Sequence, residues 1–170
     1  METASPTLLD ALFARRDAER QAHGGKRQVI REEDAILEWN RQGHMRWYMH
    51  PDQDDNVIKS LIVYRYEIPP HSRTGKQRSQ GNIAAYALSG YGRITVNGTT
   101  HDWEARDVIG LPALREGVEM QIFNDSDTEA RLIVAQPNFV AIYGVDVGAG
   151  FEQLDDAPEY TQGNREAADG

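Results

Sequence analysis

The chain has 170 residues, no cysteine and a net charge of -9, with 18 Lys and Arg against 27 Asp and Glu. That length suits one domain with a buried core, and the acidic balance repels nucleic acid and anionic lipid surfaces, so neither is an expected partner. Without cysteine there is no disulfide, thiolate catalysis or sulfur-ligated zinc; without an apolar run near ~20 residues or a secretion signal in METASPTLLDALFARRDAER, the expectation is a cytoplasmic protein.

In chain order, Ser5-Pro6 followed by TLLDALFARRDAERQAHGG supplies a cap, a proline at the first helical position and a Gly-Gly stop. Leu8, Leu9, Leu12 and Phe13 fall near one face, which predicts an amphipathic helix from Thr7 to about Ala22. That face either packs on the domain or seals a dimer. Residues 44–143 read differently, as short strand-like runs between turn signals: HMRWYMH, VIKSLIVYRYEI, IAAYALSG, GRITVNG, THDWEARD, VIGLP, VEMQIFN, ARLIVAQP and FVAIYG. Asn97-Gly98 sits between GRITV and TTHDW, where a two-residue hairpin turn wants positive φ at both central positions. Many short strands at this spacing predict an all-β sandwich or barrel. The organisation is then a helix and lead-in over 1–43, a barrel over 44–143 and a tail over 144–170 that ends polar and partly disordered.

The turns carry a second pattern. From Ile68 to Pro137 the chain resembles the cupins, a jelly-roll barrel family with two short motifs. The first motif runs glycine, five residues, His-x-His, three or four residues, Glu, six residues, glycine. Counted back from Gly90, its glutamate position is Ile83, its histidine positions are Gln77 and Ser79, and its opening glycine is His71. The second motif runs glycine, five residues, proline, and later His, three residues, Asn. Pro112 puts Arg106 at that glycine, and Asn124 puts Met120 at that histidine. YALSGYGRITVNG, HDWEARDVIGLP and Phe123-Asn124 keep the framework. Within the family the chain is similar to single-domain bacterial members reading like GKHRHQGG and GVEHQHFN, and against these every histidine is replaced, Ile122 standing for one more.

The resemblance implies a centre of three histidines and a carboxylate around iron, manganese, nickel or zinc. In GKQRSQGN and its partner strand the corresponding groups are an amide, a hydroxyl, a thioether and a hydrocarbon. None carries the charge or strong lone pair that a borderline divalent ion requires. No metal and no other cofactor is therefore expected. His23, His44, His50 and His101 read as surface or rim residues. His71 precedes the loop at the barrel mouth and is kept as a catalytic candidate, although a structural role fits it better.

A barrel mouth stays concave and mostly apolar without its ion. The resemblance aims Gln77, Ser79, Ile83, Met120 and Ile122 inward as a ligand-binding set, with Arg78 able to clamp a carboxylate. Acid–base chemistry needs a group titrating near neutrality, for which His71 and Tyr86 are the candidates. Two readings remain open. One is a metal-independent cupin that binds a small organic molecule and acts as an isomerase, cyclase or lyase. The other is a non-catalytic paralogue of a metal-dependent cupin dioxygenase, working as a ligand sensor or partner subunit. Exposed sheet edges further predict a homodimer.

Overall fold

In the computed structural model of the chain, the described residues are 7–56, 58–138 and 152–160. The first element is helix α1, Leu8–His23. Thr7 caps it: the Thr7 hydroxyl accepts from the Asp10 N–H while the Asp10 carboxylate accepts from the Thr7 N–H at 2.8 Å, a reciprocal pair that satisfies two otherwise orphaned donors. The apolar face does not pack on the domain. Leu8 is 89% exposed and Leu12 64%, so of the two readings of this face the packed one is corrected.

Eleven strands follow among the described residues: β1 (Ile36–Asn40), β2 (Gly43–Met49), β3 (Leu61–Ile68), β4 (Lys76–Ser79), β5 (Ile83–Ser89), β6 (Tyr91–Val96), β7 (Thr99–Glu104), β8 (Val108–Leu111), β9 (Val118–Asn124), β10 (Ala130–Pro137) and β11 (Glu152–Asp155). They form two antiparallel sheets, one ordered β1-β2-β3-β10-β5-β8 and the other β11-β4-β9-β6-β7. The barrel is thus wider in sequence than residues 44–143. β1 enters before that span, and β11, from the segment read as tail, pairs with β4. The FVAIYG run lies outside the described residues, as does the polar end of the tail.

Alternation decides which side chains meet between the sheets. On β5, Ile83, Ala85 and Ala87 are buried while Ala84, Tyr86 and Leu88 are exposed. On β10, Ala130, Leu132, Val134 and Gln136 turn inward. Met45, Tyr64, Tyr66 and Leu132 meet Ile94, Trp103, Met120 and Ile122 in one continuous core.

The turns hold the motif framework. Asn97 has φ 48° and Gly98 φ 82°, joining β6 to β7 as the hairpin signal requires. His71 (φ 56°) and Arg106 (φ 83°), the residues at the two motif glycine positions, also have left-handed backbone. Both positions hold, with a side chain, a bend that glycine adopts freely. Asn124 closes the same end of the barrel: its amide donates to the carbonyls of Ile68, Pro69 and Thr128 at 2.8–2.9 Å.

Candidate functional site

Five of the motif positions turn into the interior between the two sheets. Gln77 stands opposite Met120 across the β4–β9 pair. Gln77, Ser79, Ile83, Met120 and Ile122 are each no more than 3% exposed. Ile83, Met120 and Ile122 are core, packed among hydrocarbon, and the Ser79 hydroxyl accepts from the Gly81 N–H at 3.3 Å. Both amide atoms of Gln77 are buried with no hydrogen-bond partner. A neutral amide, a hydroxyl and a thioether cannot offset the dehydration of a dication, so the metal that the fold implies does not fit these residues. Among the described residues no group of three or more His, Asp and Glu is placed to hold one elsewhere.

Three candidates lie on the wrong side of the sheets. Arg78 is on the outer face of β4, where its guanidinium pairs with Glu119 and, at 3.2 Å, with Glu152; strand alternation turns it away from its neighbours Gln77 and Ser79. Tyr86 points outward from β5 and is 41% exposed. The side chain of His71 is 63% exposed on its turn and meets Asp127 at 2.9 Å, which fits the structural role. Neither catalytic candidate reaches the barrel interior.

The open space is next to the motif positions, not at them. A cavity of about 460 Å³ lies between β2, β3 and β10 on one side and β11 on the other, walled by Met45, Trp47, Ile62, Tyr64, Gln136 and Gln153, with Asn138 and His50 at its edges. None of Gln77, Arg78, Ser79, Ile83, Met120 and Ile122 is part of this wall. Register explains the grouping: Trp47 stands opposite Tyr64 and Gln136 opposite Ile62. The rings of Trp47 and Tyr64 are 5.3 Å apart, and Tyr66 meets Tyr64 edge-on at 5.2 Å.

The polar groups of this region divide into two sets. One is satisfied: the Tyr66 hydroxyl donates to Gln42 Oε1 at 3.3 Å, Gln42 Nε2 to Gln153 Oε1 at 2.6 Å, and Gln153 Nε2 to the Asp155 carbonyl at 2.7 Å. The other is not. The Tyr64 hydroxyl, Gln136 Oε1 and Asn138 Oδ1 are buried without a hydrogen-bond partner, a state that native interiors avoid. Burial pushes the Tyr64 phenol up to about 12, with the polar groups of Tyr66 and Gln77 beside it pulling the other way. Tyr66 is raised too, by burial first and then by Tyr64. Both phenols are neutral near pH 7. At the rim, His50 Nδ1 accepts from the Asp52 N–H at 3.2 Å and its ring stands edge-on to Trp47 at 5.1 Å. With Nδ1 so engaged, the neutral imidazole carries its proton on Nε2.

Gln136, Asn138 and His50 escape a reading of the sequence as surface or strand residues. Gln136 did leave a signal. It is the polar member of the inward series Ala130, Leu132, Val134, Gln136, where a hydrocarbon would continue the core.

No family model matches the chain, and no curated protein matches it in sequence. Solved structures do. A variant of Streptomyces PAC13 with uridine is 13% identical over 78% of this chain and 99% of that one, with TM-score 0.55; the same protein is described elsewhere as a nucleoside dehydratase. The polyketide cyclase RemF from Streptomyces resistomycificus is 17% identical over 65% of this chain and 79% of its own, at 0.53. A cupin 2 conserved barrel domain protein from Salinispora arenicola is 16% identical over 65% and 88%, also at 0.53. At such identities the likeness speaks for architecture, and it agrees with the two sheets and the motif turns: the chain has the jelly-roll barrel fold of the cupins.

Proposed function

We propose that the chain binds a small organic molecule in the cavity beside Trp47 and Tyr64, without a metal, and acts on it as an isomerase, cyclase or lyase. The observation that carries this reading is the cavity itself, about 460 Å³ with a mostly apolar wall. Pockets for organic ligands combine these features at this size. The neighbouring motif positions, filled by Gln77, Ser79, Ile83 and Met120, support metal independence. His50 is the imidazole of the cavity wall, and it replaces His71 and Tyr86 as the acid–base candidate. A cyclase and a nucleoside dehydratase among the fold neighbours are in keeping with such chemistry. The protein is read as cytoplasmic and homodimeric, with no nucleic acid or membrane partner; among the described residues no helix is long and apolar enough to cross a membrane.

A second reading is favoured by one feature: the carboxylate beside His50, Asp52 with Oδ2 3.9 Å from Nδ1, is exposed to solvent and not buried in the wall. It makes the protein a ligand sensor or partner subunit. Mass spectrometry of the denatured protein tests the first claim, with a stoichiometric co-purified small molecule expected and its absence after ligand screening counting against it. Turnover of that molecule, abolished in His50→Ala with binding retained, separates the enzyme from the sensor.

A further inference from the structure

Resting on the cavity reading above, we infer that β11 is an ionic strap: charged pairs hold it across one side of the cavity, and ionic strength sets how often that side opens. A strand normally stays in place by burying an apolar face, and β11 has none to bury. Its one large hydrocarbon side chain, Leu154, is exposed. Its ladder to β4 is interrupted by a register shift between Gln153 and Asp155, and no strand pairs with its other edge among the described residues. What fastens it is polar. The Asp155 carboxylate accepts from Arg73 Nη1 at 2.7 Å and the Glu152 carboxylate from Arg78 Nη1 at 3.2 Å, while Gln153 Oε1 accepts from Gln42 Nε2 at 2.6 Å.

Both carboxylates are more than half exposed. Pairs in that setting are individually weak, and salt near 1 M screens charges beyond about 3 Å. The strap also has a fixed end. Just past it Ala157 is buried, and its N–H donates to the Arg41 carbonyl at 2.9 Å. Loss of the two ion pairs therefore frees residues 152–155 while the chain beyond them stays docked. Gln153 is the β11 residue in the cavity wall, and it leaves that wall with the strand.

The chain has no cysteine, so one introduced thiol reports on the opening of its own surroundings. Met45→Cys puts that thiol in the cavity wall, and Leu132→Cys puts it in the core outside that wall. The reagent is N-ethylmaleimide, whose lack of charge leaves its own approach indifferent to salt. Modification of Met45→Cys is expected to speed up about three- to tenfold between about 0.05 and about 1 M sodium chloride, the effect of losing two exposed pairs. Leu132→Cys is expected not to respond. Adding Glu152→Gln and Asp155→Asn to Met45→Cys should give the fast rate already at low salt and remove the salt dependence. A Met45→Cys rate that ignores salt, one that rises in step with Leu132→Cys, or a carboxamide variant as slow as its parent overturns the strap. None of these touches the cavity reading, which a bound small molecule decides. Should Met45→Cys fail to fold, Ile62→Cys in the same wall carries the comparison.

Discussion

At the scale of single residues, Gln77 and Met120 face each other at the place where the cupin framework would put two imidazoles. Neither side chain supplies the charge or strong lone pair that a divalent ion requires. Replacing Gln77, Ser79 and Met120 together by histidine should therefore restore divalent-ion binding, since two nitrogens from β4 would meet one from β9. Any one replacement alone should not, because one imidazole holds the ion too weakly. Elemental analysis checks both, and a triple variant that takes up no metal would show that the inner face has closed. The left-handed residues carry a second expectation. Arg106 at φ 83° occupies a glycine position, and a side chain there costs about 1–2 kcal/mol. Arg106→Gly should raise stability by about 0.5–1 kcal/mol after the extra freedom of the unfolded chain is counted, as an increased urea midpoint would record. The turn glycines, the hairpin at Asn97 and the inward positions of both motifs are legible in the sequence because each follows from fixed spacing. Arg78 and Tyr86 are legible as outward too: with Gln77, Ser79 and Ile83 facing in, alternation along β4 and β5 turns both away from the interior.

At the scale of elements, the strands from β5 to β10 announce themselves by apolar alternation or by a turn. β1, β4 and β11 do not. β1 is exposed over most of its length, β4 is four polar residues, and β11 has no hydrophobic pattern, so sheet pairing creates these strands where local preference is silent. The outer side of the β2–β3 pair holds the most consequential polar group. Glu67 accepts from Arg65 at 2.5 Å and from Arg46 at 2.8 Å, and Arg65 also reaches Glu32 at 2.8 Å. Burial on its own would raise the Glu67 carboxyl, but the two guanidinium groups outweigh it and hold it below the usual carboxylate range. A lowered folded value means that this contribution is complete above the ordinary glutamate value and fades as pH falls through the folded one. Glu67→Gln, which leaves Arg65 with Glu32 alone as counter-charge, should cost about 1.5–3 kcal/mol at pH 7. The gap between wild type and variant should shrink as pH drops below about 4. Urea melts across that range check it; a constant gap would mean that the charge of Glu67 is not what matters.

At the scale of the whole molecule, the six-stranded sheet ends in β1, whose outer edge pairs with no other strand among the described residues, and Ile36, Leu37 and Trp39 are each more than half exposed there. With the bare apolar face of α1 close in sequence, this is the surface expected to meet a second copy. Sedimentation velocity should give the mass of a dimer, and Leu37→Lys with Trp39→Glu should shift it to monomer while the far-ultraviolet circular dichroism stays unchanged. A wild-type monomer at high concentration would rule the dimer out.

Gln153 gives the cavity an unexpected reporter. It lies in the cavity wall and also in β11, a four-residue edge strand, and short edges open most readily. A ligand that binds only while β11 is closed must slow every opening of that strand by mass action, about 100-fold at a ligand concentration of 100 Kd. Amide hydrogen exchange at residues 152–155 should thus read out occupancy for any candidate molecule, including one without colour, fluorescence or turnover; exchange there that ignores a saturating ligand would place the bound molecule elsewhere.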